Sequence, residues 1–248
     1  MIFHNVLAFG AIFASLATPI HHLAADTTIP STGVLLIGDS WLVQLAPNAK
    51  HAAPAGKQLG KLLQERLSGK MEVRIKNRGA GGTNTFNWRP DGKLLRAAEA
   101  SAPARTYPWV FVALGINDSS EHYGAFSPGT YQVQLEKIVD ELTDNGYRVI
   151  LQSPPYIMAQ GRNHTTEGVQ RLSGYRSAIA AIVEQEAAKH PGSVFDADPS
   201  GELYQYTLSH PEAIGLDHVH PSALGSEAVA TIWADHIVPI IYPSKLPN

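Results

Sequence analysis

Four short segments of the sequence carry residue types that acyl transfer requires. A serine hydroxyl can attack an acyl carbon, an imidazole can accept its proton, and a carboxylate can orient the imidazole. Amide N–H groups can stabilise the negative charge that develops on the acyl oxygen. In chain order, these groups lie in Gly38-Asp39-Ser40, in the glycine-rich stretch 77–83 (NRGAGGT), in Gly115-Ile116-Asn117-Asp118 and in Asp217-His218-Val219-His220-Pro221.

The spacing within the last segment suits a base and its orienting carboxylate. Asp217 and His220 are separated by two residues, in a turn that Pro221 keeps open. The carboxylate can therefore meet one imidazole nitrogen while the other nitrogen faces Ser40. In this arrangement the carboxylate holds the imidazole tautomer and stabilises the imidazolium.

The remaining two segments can supply oxyanion donors. Gly81 and Gly82 have no Cβ, so a backbone N–H there can approach a substrate oxygen closely. The side-chain amide of Asn117 is a further donor, and the backbone N–H of Ser40 is a third. We expect activity to rise with pH through the imidazole range, nominally about 6.5, because the base must be neutral.

The elements that must position these groups follow an alternating pattern. Apolar runs typical of strands cover 33–37, 71–75, 109–114, 147–151 and 193–196, and helical patterns cover 55–67, 94–100, 131–142, 167–190 and 222–237. Five strands alternating with helices predict an α/β fold with a parallel sheet. Ligands of such sheets bind beyond the carboxyl ends of the strands, so we expect the four segments to meet at one edge.

Composition excludes several kinds of chemistry. The 248 residues include no cysteine, which rules out disulfides, thiolate metal sites and a cysteine nucleophile. The formal net charge is −3, so no basic excess points to a nucleic-acid partner. Asp217, His218 and His220 could instead form a metal site, since imidazole and carboxylate suit zinc. No further cluster of ligand residues accompanies them, and we expect neither a metal nor another cofactor.

The N-terminus predicts export. Residues 1–25 contain no Asp, Glu, Lys or Arg, and an apolar run at 6–16 is followed by small residues. This pattern is typical of a signal peptide with cleavage near Ala25, which leaves a domain at 26–248 in a secreted or periplasmic protein. The run is too short to span a bilayer, so no stable membrane insertion is expected. The alternative is an apolar helix packed on the domain.

The four segments together resemble the motifs of the SGNH hydrolases, also called the GDSL esterase/lipase family. The resemblance implies a flavodoxin-like three-layer α/β/α sandwich around a central five-stranded parallel sheet, and metal-free ester hydrolysis. It implies Ser40 as nucleophile, Asp217 and His220 as the rest of a catalytic triad, and Ser40, Gly82 and Asn117 as the oxyanion hole. Gly81 is an alternative to Gly82. The sequence departs from the family pattern at Trp41, where the family name implies leucine.

Aromatic residues near these segments favour a carbohydrate or small-molecule ester as substrate. We predict substrate contacts from Trp41, Trp88, Arg89, Tyr123 and Tyr156, and hydrolysis of short acyl groups, chiefly acetyl on carbohydrate. The alternatives are a lipase, arylesterase or thioesterase, an O-acetyltransferase with the same triad, and a non-catalytic carbohydrate-binding module. The sequence gives no indication of oligomeric state.

Overall fold

Five parallel strands form the centre of the protein. The structure, a computed structural model, describes residues 29–49, 52–159 and 163–243, and the predicted signal peptide at 1–25 lies outside them. The strand order is β2-β1-β3-β4-β5, with every neighbouring pair parallel. The strands are Ser31–Gly38 (β1), Glu72–Asn77 (β2), Trp109–Ala113 (β3), Arg148–Gln152 (β4) and Val194–Asp196 (β5).

Helices cover both faces of this sheet. The helix at Ala55–Arg66 packs against the one at Ala223–Ile241, and the helix at Pro128–Asp144 packs against the one at Thr166–Lys189. Every residue of β3 is buried, as expected for a strand that helices cover on both sides. The predicted three-layer α/β fold is therefore confirmed. The helices are Ala55–Arg66 (α1), Lys93–Ser101 (α2), Ile116–Ser119 (α3), Pro128–Asp144 (α4), Thr166–Lys189 (α5), Glu202–Ser209 (α6) and Ala223–Ile241 (α7).

Local sequence signals set several helix ends. The Ser222 hydroxyl accepts a hydrogen bond from the backbone N–H of Gly225 at 3.1 Å, which caps α7 as predicted. Asn145 ends α4, and Gly146 follows with a φ of 84°, a left-handed conformation that glycine adopts without strain. Among the described residues, no helix is long and apolar enough to cross a membrane.

Besides the single-turn helix α3, which was also not predicted, two helical features differ from the sequence prediction. Helix α6 was not predicted, because its eight residues (ELYQYTLS) are too few for a clear periodic pattern. Helix α7 runs to Ile241, four residues beyond the predicted end, and contains Pro239 in its last turn. Neither feature alters the sheet edge where β1, β3 and β4 end.

Candidate active site

The four motif segments meet at one cleft, as the parallel topology predicts. Its volume is about 440 Å³. Segments that follow β1, β2, β3 and β4 line it together with the loop that precedes α7. The lining residues are Ser40, Gln44, Gly81, Gly82, Asn117, Tyr123, Asn163, His164, Asp217, Val219 and His220.

Ser40 begins a tight 3-10 turn, Ser40–Leu42, directly after β1. The Asp39 carboxylate caps this turn by accepting the backbone N–H of Trp41 at 3.0 Å. The backbone N–H of Asp39 also donates to the carbonyl of Ala113 at 3.1 Å, which ties the turn to the end of β3. Ser40 is 3% exposed and lines the cleft.

Asp217 and His220 form the hydrogen bond that their spacing predicts. The Asp217 Oδ2 atom lies 2.8 Å from His220 Nδ1, and Oδ1 accepts the backbone N–H groups of Val219 at 3.2 Å and His220 at 3.0 Å. Burial works to raise the pKa of Asp217, but these hydrogen bonds outweigh burial and lower the pKa below its usual value. The carboxylate therefore stays ionised beside the imidazole, as an orienting group requires.

The loop that carries this pair has a constrained backbone. His218 has a φ of 63°, an uncommon conformation for a residue with a side chain, and such strain is frequent at functional sites. Its carbonyl accepts the backbone N–H of Met158 at 3.1 Å, and the carbonyl of Pro221 accepts that of Ala46 at 3.0 Å. These contacts hold the loop from two separate parts of the chain.

Ser40 and His220 lie in the same cleft without a direct hydrogen bond. Both residues line it, and within the described ranges no hydrogen bond joins the Ser40 hydroxyl to the imidazole. Catalytic hydrogen bonds in ligand-free hydrolases are often long and shorten only when substrate binds. The arrangement is therefore compatible with proton transfer from the serine to the imidazole.

Gly82 and Asn117 also line the cleft. Gly82 has a φ of 72°, so the turn needs a glycine there. The Asn117 amide donates to the carbonyl of Thr83 at 2.9 Å, which fixes the side chain beside Gly82. A primary amide has two N–H groups, and the second one is left for a substrate oxygen. Gly81 also lines the cleft, against the side chain of Gln44.

Two buried carboxyl groups, Asp39 and Asp118, adjoin Ser40 and Asn117 in the sequence. Burial raises the pKa of Asp39 to about 7, although the N–H of Trp41 acts to lower it. Burial likewise raises the pKa of Asp118 to about 6, against hydrogen bonds from the hydroxyl and N–H of Thr85. Each acid follows the carboxyl end of a central strand, Asp39 after β1 and Asp118 after β3. Both therefore lie in the segments that carry Ser40 and Asn117.

Of the predicted substrate contacts, Tyr123 lines the cleft, whereas Trp41 and Trp88 are buried in the core. Tyr123 lines the cleft beside Gly82. The predictions for Trp41 and Trp88 are wrong, because their side chains are 1% and 0% exposed and lie in the core. Each indole N–H is used internally: that of Trp41 donates to the Val219 carbonyl and that of Trp88 to the Thr83 hydroxyl.

Arg89 and Tyr156 also lie outside the cleft lining. Arg89 pairs with Asp91 at 3.0 Å, and its guanidinium stacks over Phe86. Tyr156 packs edge-on against Tyr204, with ring centroids 5.7 Å apart. The structure therefore gives no support to either as a substrate contact.

His164 is a cleft residue that sequence reasoning missed. It follows β4, the one central strand whose carboxyl end carried no recognised motif. The side chain is 3% exposed, and its Nδ1 atom has no hydrogen-bond partner among the described residues. Burial, with a smaller contribution from the nearby His220, lowers the pKa of His164 to about 4, although the carboxylate of Glu121 acts to raise it. The imidazole is therefore neutral at the pH where a histidine base works.

The alternative of a metal site gains no support from the geometry. Within 29–49, 52–159 and 163–243, no three His, Asp or Glu side chains are grouped so that they could hold an ion. The Nδ1 atom of His218 lies 3.2 Å from the sulfur of Met158, a weak ligand of hard cations.

Comparisons with known proteins identify the family of the chain. A model described as the GDSL-like lipase/acylhydrolase family matches residues 36–228, which span all four motif segments. The chain therefore belongs to this family, as its motifs predict, and it is a serine ester hydrolase. No curated protein sequence matches it significantly.

Several solved structures share the fold. The lipase/acylhydrolase from Enterococcus faecalis is 20% identical, with a TM-score of 0.62 over 87% of this chain and 100% of that chain. A catalytic mutant of the acetylxylan esterase from Geobacillus stearothermophilus is 19% identical, with a TM-score of 0.61 over 89% and 99%. The carbohydrate acetylesterase Est24 from Sinorhizobium meliloti is 16% identical, with a TM-score of 0.59 over 84% and 99%. At these identities the likeness concerns the fold.

Proposed function

We propose that the protein hydrolyses short acyl esters, chiefly acetyl esters of carbohydrates, with Ser40, His220 and Asp217 as its catalytic triad. His220 Nε2 accepts the hydroxyl proton as Ser40 Oγ attacks the ester carbonyl. The backbone N–H groups of Ser40 and Gly82 and the amide of Asn117 bind the oxyanion. The alcohol leaves with the proton from His220, and water then releases the acyl group from Ser40 by the same route.

The observation that carries this proposal is the placement of three groups around one cleft. Ser40 lines one cleft together with the Asp217–His220 pair, whose hydrogen bond measures 2.8 Å, and with Gly82 and Asn117. A nucleophile, a base with its orienting carboxylate, and amide donors at one cleft are the groups that acyl transfer needs.

The polar lining of the cleft supports a small, hydroxyl-rich substrate. Gln44, Asn163 and His164 present amide and imidazole groups, and Val219 with the Tyr123 ring supplies the apolar surface of the described lining. A long acyl chain would need a continuous apolar channel. The similar structures include proteins described as an acetylxylan esterase and a carbohydrate acetylesterase, which agrees with this choice.

Replacement of the nucleophile tests the triad. The Ser40→Ala variant should lose p-nitrophenyl acetate hydrolysis, because it has no hydroxyl to acylate. Ser153→Ala is a matched control: Ser153 is 1% exposed, follows β4 at the same sheet edge and does not line the cleft. A Ser40→Ala protein that turns over at the wild-type rate would refute the assignment.

A series of p-nitrophenyl esters tests the acyl preference. We expect kcat/KM to be highest for acetyl and to fall with chain length, and a maximum at octanoyl or longer would identify a lipase instead.

Product analysis with an acetylated oligosaccharide and a sugar acceptor separates the two possible fates of the acyl group. Free acetate supports hydrolysis, whereas acetylated acceptor would identify an O-acetyltransferase.

Export is a further part of the proposal. Residues 1–25 have the composition of a signal peptide, and the predicted mature chain starts at Asp26. N-terminal sequencing of the protein recovered outside the cytoplasm should read Asp-Thr-Thr. An intact Met1 in that fraction would contradict cleavage.

A further inference from the structure

The nucleophile and the base lie on segments from opposite ends of the chain. Ser40 belongs to the turn after β1, and His220 to the loop before α7. The Asp217–His220 hydrogen bond lies within that loop, so it orients the imidazole relative to the loop alone. The distance between the imidazole and Ser40 depends on contacts that join the loop to the turn.

One side chain makes such a contact directly. The indole N–H of Trp41, the residue after Ser40, donates to the backbone carbonyl of Val219 at 3.1 Å. Val219 immediately precedes His220, so this hydrogen bond joins the neighbour of the nucleophile to the neighbour of the base. Its partners are 178 residues apart in the sequence.

Trp41 is suited to act as a rigid spacer. Its side chain is 1% exposed and packs in the core, where it lines a small interior space with Asp39 and Trp233. A buried aromatic ring has few accessible rotamers, because interiors are close-packed. The indole N–H therefore holds the Val219 carbonyl at a fixed place relative to the Ser40 turn.

We propose that Trp41 is a positioning residue, whose indole N–H sets the distance between the His220 imidazole and the Ser40 hydroxyl. This inference rests on the proposed triad. It replaces the sequence-based expectation that Trp41 contacts the substrate. The backbone hydrogen bonds that join the loop to other parts of the chain come from the N–H groups of Ala46 and Met158, which lie outside the nucleophile turn. Trp41 is the anchor that belongs to the nucleophile turn itself.

The test compares two substitutions of tryptophan by phenylalanine. Trp41→Phe keeps a buried aromatic ring and removes the N–H donor. Trp233→Phe removes the same atoms from a side chain that is also 1% exposed and lines the same interior space. The Trp233 Nε1 atom has no hydrogen-bond partner among the described residues, so the control breaks no such contact.

Two readouts separate positioning from folding. The final extent of labelling by a fluorophosphonate probe counts the folded, reactive sites, and the labelling rate reports how well the base activates Ser40. For Trp41→Phe we expect full labelling, a labelling rate and a kcat lower by on the order of 10- to 100-fold, and a KM close to wild type. Trp233→Phe should label and turn over per site as the wild type does.

Equal turnover per labelled site in Trp41→Phe and Trp233→Phe would overturn the proposal. If Trp41→Phe does not fold, Trp41→Leu carries the family's residue without a donor and should show the same reduced rate. A wild-type rate per site in that variant would also overturn the proposal. Failure of the triad itself is distinguishable, because Ser40→Ala would then still label.

Discussion

Asp217→Asn should be more damaging than its small change in shape suggests. Asp217 Oδ1 accepts two backbone N–H groups, from Val219 and His220, while Oδ2 accepts the Nδ1 proton of His220. The asparagine carbonyl must take the Oδ1 position, because the amide NH₂ cannot face two N–H donors. The NH₂ group then points at His220 Nδ1 and favours the tautomer with its proton on Nε2. In that tautomer Nε2 cannot accept the Ser40 proton.

A base locked in the wrong tautomer reduces kcat by on the order of 10⁴-fold in triads of this kind, or about 5 kcal/mol of barrier. Asp217→Ala should be less impaired, because its site is about a quarter exposed and water can accept the Nδ1 proton. The assay is p-nitrophenyl acetate hydrolysis, normalised to folded protein by thermal melting. The reasoning is refuted if Asp217→Asn keeps near-wild-type turnover or exceeds Asp217→Ala.

Three further changes should have distinct effects. Gly82→Ala should lower kcat by on the order of 10²-fold, because the substitution moves the backbone N–H that binds the oxyanion. A φ of 72° is strained for alanine, and the new Cβ would lie 3.4 Å from the Tyr123 hydroxyl. Between pH 4 and 7, folded Asp39 (pKa raised from 3.8 to about 7 by burial) binds a proton that the unfolded chain releases. Stability therefore falls as pH rises through this window, by up to about 4 kcal/mol, and Asp39→Asn should flatten denaturant-measured stability against pH. His164→Gln should leave the acidic limb of the kcat/KM profile unmoved, because burial already lowers the His164 pKa to about 4.

Each of these changes has a control or a contradicting result. Gly69→Ala is the control for Gly82→Ala. Gly69 has a φ of 74° and nothing lies within 4 Å of an added Cβ, so this variant should have a similar backbone strain and the wild-type kcat. A similar loss of kcat in both alanine variants would argue against Gly82 as a donor. Asp144 is exposed, and Asp144→Asn should keep the wild-type pH slope of stability. A displaced acidic limb in His164→Gln would mean that His164 titrates in the working range.

The catalytic segments could be predicted because their chemistry depends on backbone topology. The carboxyl ends of parallel strands lie at one edge of the sheet, so the segments that carry Ser40, Gly82 and Asn117 meet there. This meeting does not depend on the details of helix packing. The Asp217–His220 contact is local, between residues three apart, and needs no long-range information. These parts of the site follow from short motifs and from an alternating pattern of strands and helices.

The directions of the aromatic side chains could not be predicted in the same way. Trp41 and Trp88 lie in 3-10 turns. In such a tight turn, a shift of one residue changes whether a side chain points into the core or into the cleft. Both indoles point inward, and each finds a hydrogen-bond acceptor there. An aromatic residue beside a motif is thus as consistent with support of the site as with substrate contact.

His164 was missed for a different reason. It has no motif around it, yet it follows β4 at the same edge as the other segments. The rule that ligands bind beyond strand ends applies to that loop too, and it would have identified the residue. No sequence rule supplies the burial of the imidazole or its place near His220, since both depend on tertiary packing.

Covalent labelling with a fluorophosphonate probe, followed by peptide mapping, tests the central claim most directly. The probe reacts with a serine that a neighbouring base activates, so it reports the nucleophile and its activation together. The proposed triad predicts one modified residue, Ser40, with no labelling in Ser40→Ala and slow labelling in Asp217→Asn. Modification of another serine, or no reaction in folded wild-type protein, would contradict it.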